Sequence, residues 1–212
     1  MVLKDEKDTT IPKVVRFIEE GLFNEAIEEL RSYLEKNPES IEGWYNLGYA
    51  LSEIDENEEA VKAYDEALAI DNNIFEIWFN KGSVLYEERD FEKAKECYEK
   101  ALELNPDDAE AWNNLGNCFS RLAEGKKAIE AYTRAVALKP DYAEAFYNKA
   151  NAHFIEEEDE RAIAYAELAV QLNPDLNNMV SQWISVSRDR LASKRDEEEH
   201  LKKIKKQSEE KD

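Results

Sequence analysis

The sequence predicts an all-α fold of stacked antiparallel helix hairpins, and three sets of residues predict it. A bulky aromatic residue recurs every 34 positions, at Trp44, Trp78, Trp112 and Phe146. Proline keeps the same period at Pro106, Pro140 and Pro174, and alanine does so at Ala26, Ala60, Ala94, Ala128 and Ala162. Because three residue types repeat in phase, one structural unit is repeated along the chain.

Starting the repeat at residue 7 gives five repeats without insertion or deletion. The predicted segments are an N-terminal extension at 1–6, a degenerate repeat at 7–40, further repeats at 41–74, 75–108, 109–142 and 143–176, a capping helix with a charged helical extension at 177–206, and a disordered tail at 207–212. The first repeat is degenerate because Thr10 and Val14 replace the tryptophan of position 4 and the glycine of position 8. Positions are numbered from the start of each repeat.

Each repeat is predicted to form two helices joined by a turn. In the fourth repeat, Trp112, Leu115 and Phe119 recur at helical spacing, and a second such series begins at Ala128. Residue sizes indicate close packing, since position 8 is glycine or alanine in the later repeats, position 20 is always alanine, and position 24 is tyrosine in the second to fourth repeats. One hairpin cannot bury so many apolar side chains, but stacked hairpins can.

The pattern Trp-x-x-Leu-Gly at 44–48 and 112–116, followed by alanine at position 20 and an aromatic residue at position 24, resembles the tetratricopeptide repeat. The resemblance covers residues 7–176. It implies a right-handed superhelix whose first helices line a concave groove that holds peptides. The chain is therefore expected to bind another protein or peptide.

One face of each first helix carries a repeated polar pattern. At 100° per residue, positions 4, 8 and 11 form one face, and positions 2, 6, 9 and 13 lie opposite, with position 5 beside them. The candidate peptide-binding residues stand at positions 2, 5, 6 and 9 of the second to fifth repeats: Glu42, Glu76, Glu110, Glu144; Tyr45, Phe79, Asn113, Tyr147; Asn46, Asn80, Asn114, Asn148; Tyr49, Ser83, Asn117, Asn151.

This pattern has two interpretations. Asparagine amides one repeat apart offer donors and acceptors to the backbone of an extended peptide, aromatic neighbours offer apolar contact, and the glutamates favour a basic ligand. Alternatively, the asparagines belong to the framework of the family, and the glutamates stabilise helix starts through the helix dipole. The sequence leaves both interpretations open.

Net charge restricts the class of partner. The chain has 49 acidic and 28 basic residues, and the segment from Arg188 onward is nearly neutral. The repeats therefore carry almost all of the negative charge, which repels nucleic acid and anionic membranes. No apolar run is long enough to span a bilayer, and the first residues lack the apolar core of a signal peptide. We expect a neutral-to-basic protein segment as partner and a cytoplasmic location.

No constellation of residues indicates an enzyme, a cofactor or a metal site. Cys97 and Cys118 lack the close spacing of a zinc motif, and both stand at packing positions. His153 stands at position 11, where other repeats place leucine or phenylalanine, so a core-facing role is predicted. Glycine-rich phosphate loops are missing. We expect no catalytic residues.

A second function class is self-association. Leu191, Leu201 and Ile204 give the charged C-terminal segment some apolar surface, although they are too sparse for a heptad. The capping helix and this segment would then join copies of the chain in an assembly.

Overall fold

The structure is a computed structural model that describes residues 9–209. Within this range the chain forms eleven α-helices, one short 3-10 helix at Pro174–Leu176 and no strand. The all-α hairpin fold is confirmed. The helices are α1 (Thr10–Glu19), α2 (Phe23–Leu34), α3 (Ile41–Ser52), α4 (Asn57–Ile70), α5 (Phe75–Glu87), α6 (Phe91–Leu104), α7 (Ala109–Arg121), α8 (Gly125–Leu138), α9 (Ala143–Ile155), α10 (Asp159–Leu172) and α11 (Asn177–Glu209).

The chain divides into two compact units. The N-terminal unit ends at Asp107 and contains the three hairpins α1–α2, α3–α4 and α5–α6. The C-terminal unit begins at Asp108 and contains the hairpins α7–α8 and α9–α10 followed by α11. The predicted extension at 1–6 and the first two residues of the first repeat lie outside the described residues.

Hairpin closure depends on glycine at position 8 and tyrosine at position 24. A Cβ placed on Gly116 would lie 2.5 Å from the Tyr132 ring, and one on Gly48 would lie 2.8 Å from the Tyr64 ring. At these distances no larger residue fits unless the ring moves. The alanines of position 20 and the tyrosines of position 24 are buried throughout the second to fourth repeats, as the size pattern predicts.

Every hairpin turn places position 15 in the left-handed region. Gly21 has φ 73°, and the equivalent residues of the later repeats have φ between 56° and 62° although none is glycine: Asp55, Arg89, Ala123 and Glu157. This conformation costs an L-residue roughly 1–2 kcal/mol. The turn geometry is therefore imposed by the packing of the two helices rather than by local preference.

The start of α11 covers the fifth hairpin. Val180 is fully buried and Ile184 nearly so, and both pack with Ala150 and Ala166. Trp183 lies beside them, with its ring centroid 5.6 Å from that of Phe154. These residues pack at the positions where a position-24 tyrosine packs in the second to fourth repeats.

An ion cluster fixes the next two turns of α11. Asp159 at the start of α10 is 2% exposed, and its two carboxylate oxygens accept hydrogen bonds from Arg190 at 3.2 Å and Lys194 at 3.3 Å. Arg190 also donates to the carbonyl of Phe154 at 3.3 Å and lies over its ring. A buried carboxylate requires such partners, so the cluster holds α11 against the hairpin.

Beyond the ion cluster, the side chains from 195 to 207 are all exposed. The helix continues to Glu209, three residues past the predicted end near Lys206. Residues 210–212 of the tail predicted at 207–212 lie outside the described residues.

Candidate peptide-binding face

The structure places most candidate residues on the accessible side of the first helices. The position-2 glutamates are exposed in both units. In the N-terminal unit Tyr45, Tyr49, Phe79, Asn80 and Ser83 are partly exposed on α3 and α5. In the C-terminal unit the partly exposed candidates lie on α7 and α9 and are Asn114, Asn117, Tyr147, Asn148 and Asn151.

Two candidate asparagines are buried, although the helical count placed them on or beside the face opposite the packing positions. Asn113 is fully buried, and Asn46 is only 9% exposed. Asn46 donates to the carbonyl of Glu42 in its own helix at 2.8 Å. The projection at 100° per residue considers a single helix. It therefore does not include the first helix of the next repeat, which packs over these two asparagines. These two side chains can affect a ligand only through their neighbours.

The position-6 asparagines form hydrogen bonds between neighbouring repeats. In the N-terminal unit the Asn80 side-chain amide donates to the Tyr45 hydroxyl at 3.1 Å. In the C-terminal unit Asn148 donates to Asn113 Oδ1 at 3.0 Å. In both units position 6 therefore bonds to position 5 of the preceding repeat, which is the framework role that the sequence left open. Each amide still has a second N–H and an acceptor oxygen.

Position 9 has a second structural role within each hairpin. The Tyr98 hydroxyl shares a hydrogen bond with Ser83 Oγ at 3.1 Å, and the Tyr132 hydroxyl donates to Asn117 Oδ1 at 2.8 Å. In the second repeat position 9 is Tyr49, and the buried Tyr64 hydroxyl has no hydrogen-bond partner among residues 9–209. An unsatisfied buried hydroxyl costs about 1–3 kcal/mol and calls for an explanation.

Position 13 adds charges that the candidate set omitted. Glu53 and Glu87 are exposed at the ends of α3 and α5, whereas Arg121 and Ile155 occupy the same position in α7 and α9. The helical projection places position 13 on the candidate face, so the sequence was sufficient to identify these charged residues. At positions 2 and 13, α3 and α5 together therefore carry four glutamates, whereas α7 and α9 carry two glutamates and one arginine.

The phenols on the N-terminal face have raised pKa values. Burial raises the pKa of Tyr45, with a smaller rise from nearby Glu76, and the hydrogen bond from Asn80 opposes it. Burial raises the pKa of Tyr49 as well, followed by the charge of Glu53. Both phenols are therefore neutral at physiological pH, and the negative charge of this face comes from its glutamates.

Two shallow depressions lie away from this face, beside the position-4 tryptophans. One of about 550 Å³ in the C-terminal unit is lined by Trp112 and Phe119. One of about 510 Å³ in the N-terminal unit is lined by Trp44 and Leu51, at the same repeat positions. Their equivalence shows that they follow from the repeat geometry, and their lining includes no candidate residue.

The two thiols are buried, and burial raises the pKa of Cys97 to about 11. Within residues 9–209, no group of three or more His, Cys, Asp or Glu side chains is arranged to hold a metal ion. No helix in the described part of the chain is long and apolar enough to cross a membrane.

Comparison with solved structures shows the fold. The chain is 22% identical to MamA 41-end from Desulfovibrio magneticus RS-1, with 82% of this chain and 98% of that chain covered and a TM-score of 0.76. It is 22% identical to pilF of Pseudomonas aeruginosa, covering 87% and 89%, with a TM-score of 0.68. It is also 21% identical to YrrB, a TPR protein with an unusual peptide-binding site, covering 82% and 89%, with a TM-score of 0.73. Among curated proteins none matches.

Family models extend across most of the chain. Tetratricopeptide repeat models match residues 17–78, 75–108, 109–142 and 143–176. The last three ranges have the same bounds as the third to fifth repeats of the sequence pattern. The chain therefore belongs to the tetratricopeptide repeat family.

Proposed function

We propose that this chain is a protein-interaction scaffold whose first-helix faces bind an extended, neutral-to-basic segment of another protein. One observation carries the proposal. In each unit two consecutive first helices carry an exposed glutamate at position 2 beside partly exposed side chains at position 9, which are Tyr49 and Ser83 in the N-terminal unit and Asn117 and Asn151 in the C-terminal unit. Because similar side chains recur at the spacing of successive hairpins, this surface suits a ligand with an extended backbone.

The charge of the face supports a basic ligand. The N-terminal unit presents Glu42, Glu53, Glu76 and Glu87 around three aromatic side chains. Carboxylates attract lysine and arginine, and aromatic rings bind both their cations and their aliphatic stems. Binding that depends on exposed charges of this kind weakens as the salt concentration rises.

The amides of the C-terminal unit support contact with the ligand backbone. Asn117 and Asn151 are partly exposed at position 9 of α7 and α9. The Asn117 carbonyl oxygen accepts from Tyr132, so its amide N–H groups are directed elsewhere. Two N–H donors on one side chain suit peptide carbonyls, which every sequence offers. The similarity to YrrB, whose structure has a peptide-binding site, agrees with this proposal.

A pair of charge variants tests the face. A display library of 12-residue peptides is selected on the purified chain, and the affinity of selected peptides is measured by fluorescence anisotropy. Glu42→Gln with Glu76→Gln should weaken binding roughly two- to tenfold, since each exposed ion pair contributes about 0.2–1 kcal/mol. Glu66→Gln with Glu99→Gln is the matched control, because these exposed glutamates lie on the second helices α4 and α6.

Two results would contradict the proposal. One is selection of acidic peptides, or of none. The other is an equal loss of affinity in both double variants, which would show that net charge rather than the first-helix face governs binding.

Self-association through α11 is the second candidate function. Its supporting observation is that Leu201 and Ile204, three residues apart, are about half exposed on a stretch of helix without buried side chains. Light scattering of the full chain should then give about twice the 24.6 kDa of one copy. Leu201→Ser with Ile204→Ser should return the mass to one copy. A single-copy mass for the unaltered chain excludes this candidate.

A further inference from the structure

The second repeat differs from its neighbours in one buried polar atom. The position-24 tyrosine ring lies against the position-8 glycine in the second, third and fourth repeats. Ser83 and Asn117 satisfy that hydroxyl in the third and fourth repeats, at 3.1 and 2.8 Å. Tyr64 is 0% exposed, and its hydroxyl oxygen has no partner within the described part of the chain.

The residues around the Tyr64 hydroxyl explain why it lacks a partner. Position 9 of this repeat is Tyr49, which has no short polar group to offer. Polar interaction with the Ser52 side chain lowers the pKa of Tyr64, but the Ser52 proton goes to the Tyr49 carbonyl at 2.8 Å, so Ser52 has no proton to donate to the Tyr64 oxygen. Burial raises the pKa of Tyr64, and Tyr45, Tyr49 and Glu53 raise it further. Two phenols and one carboxylate therefore act electrostatically on this hydroxyl.

Near Tyr64 the candidate face carries two tyrosines and two glutamates. The ring centroids of Tyr45 and Tyr64 are 6.2 Å apart. Glu53 acts on the Tyr49 phenol, and Glu76 acts on the Tyr45 phenol. The Tyr64 site is defined here as Tyr45, Tyr49, Glu53, Tyr64 and Glu76.

The fourth repeat provides a natural contrast. Its equivalents of Tyr45, Tyr49 and Glu53 are Asn113, Asn117 and Arg121. There the tyrosine hydroxyl is bonded to Asn117, and an arginine stands where the second repeat has a carboxylate. The combination of an unsatisfied hydroxyl, two phenol rings and carboxylates therefore does not follow from the repeat itself.

These groups together suit a cation that carries N–H donors. Ring faces attract a guanidinium or ammonium group, the carboxylates neutralise its charge, and the hydroxyl oxygen of Tyr64 accepts one N–H. We propose that the Tyr64 site binds the side chain of one arginine or lysine of the extended segment. The proposal rests on the function proposed above, since that segment supplies the side chain.

Access to the hydroxyl requires one side chain to move. The Tyr64 oxygen is buried, whereas Tyr49, which acts electrostatically on the Tyr64 phenol, is partly exposed. Rotation of Tyr49 toward solvent opens the site and places its ring along the entering side chain. Tyr49→Ser reproduces the serine–tyrosine pair of the third repeat, so it should satisfy the Tyr64 hydroxyl and abolish the site.

A titration with a single amino-acid side chain tests the site without knowledge of the partner. The ¹⁵N-labelled full chain is titrated with Nα-acetyl-arginine amide and, separately, with the citrulline analogue, which has the same shape without the charge. We expect saturable shifts of the amide signals of Tyr45, Tyr49 and Glu53 with arginine, at roughly millimolar concentration as is usual for a ligand of this size. Citrulline should cause little change.

Matched variants separate the site from the general acidity of the surface. Tyr64→Phe should weaken arginine binding about three- to tenfold because it removes one hydrogen bond and keeps the ring that packs on Gly48. Tyr98→Phe removes a hydroxyl that already has a partner, and it should leave binding unchanged. Glu53→Gln should weaken binding about two- to fivefold, whereas Glu87→Gln at the same position of the next repeat should have a smaller effect.

Three outcomes overturn the assignment: equal shifts with citrulline, shifts that grow without saturation across both units, and equal affinities of Tyr64→Phe and the unaltered chain. If selected peptides bind the chain and Tyr64→Phe binds them equally well, only the Tyr64 site is excluded. If arginine amide binds at the Tyr64 site but no peptide is selected, the site stands and the proposed function fails.

Discussion

The second to fourth repeats and the fifth repeat close the same kind of hairpin with different residues. In the earlier repeats a glycine at position 8 receives a tyrosine ring from position 24. The fifth repeat has Ala150 and Ala166 at these positions, and Val180, Trp183 and Ile184 of α11 pack there instead. The space beside the two closely packed helices is therefore filled in both cases, either by a side chain of the hairpin or by side chains of the next helix. The fifth hairpin therefore depends on α11, and the earlier ones close by themselves.

The largest expected effect tests this dependence at the ion cluster. Arg190→Met leaves the buried Asp159 carboxylate with Lys194 alone, and it should lower the free energy of unfolding by roughly 1.5–3 kcal/mol, since a hydrogen bond to a buried charged group is lost. Arg188→Met is the control, because the Arg188–Glu167 pair is more than half exposed at both side chains and should contribute less than about 1 kcal/mol. Urea unfolding followed by circular dichroism measures both. Equal losses would show that α11 is not held by Asp159.

A smaller effect is expected at the glycine–tyrosine contact. Gly116→Ala places a Cβ 2.5 Å from the Tyr132 ring, so the strain should exceed the gain in helix propensity and lower the free energy of unfolding by roughly 1–2 kcal/mol. Gly82→Ala is the matched control, because its Cβ would lie 3.1 Å from the Tyr98 ring and the ring needs to move less. Urea unfolding measures the difference in free energy of unfolding between the two variants. A stabilising Gly116→Ala would refute the size rule.

The fifth repeat should also respond to pH in a way that the others do not. In the fifth repeat His153 stands at position 11, where the other repeats have an apolar residue. Burial lowers the pKa of His153 below 6.5, and the hydrogen bond to Glu158 opposes that effect. Because the unfolded chain binds the proton more readily than the folded chain, stability should fall as pH decreases from about 7 through the folded pKa. The free energy of unfolding at pH 7.5 and 5.5 should differ less in His153→Leu than in the unaltered chain. His200→Gln, at an exposed position, should retain the full difference.

The smallest effect concerns a feature that all hairpins share. Ala123→Gly and Glu157→Gly each relieve a positive φ at position 15, so each should raise the free energy of unfolding by about 0.5–1 kcal/mol. Gly21→Ala should lower it by a similar amount. Thermal unfolding followed by circular dichroism measures all three. A gain confined to one repeat would show that the turns are not equivalent.

The fold was predictable because packing rules repeat with the sequence. The 34-residue period located the helix pairs, and residue sizes at positions 8, 20 and 24 indicated which side chains meet. The candidate face was predicted in part. Helical spacing located the exposed glutamates correctly, but it could not show that Asn113 is buried, since burial depends on the first helix of the next repeat.

Features outside the repeat could not be predicted from the period. Asp159 and Arg190 are 31 residues apart and occur once, so no pattern indicates that they meet. The unsatisfied hydroxyl of Tyr64 depends on where the ring of one helix ends relative to position 9 of the other. Position 15 offered a partial signal, because Gly21 occupies it in the first repeat while the later repeats have other residues.

The structure of the chain bound to a selected basic peptide tests the proposed function most directly. We expect a peptide that lies along the first helices, with backbone contacts to Asn117 or Asn151 in the C-terminal unit or a basic side chain beside Tyr49 in the N-terminal unit. A peptide seated in the depressions beside Trp44 or Trp112, with these residues untouched, would contradict it.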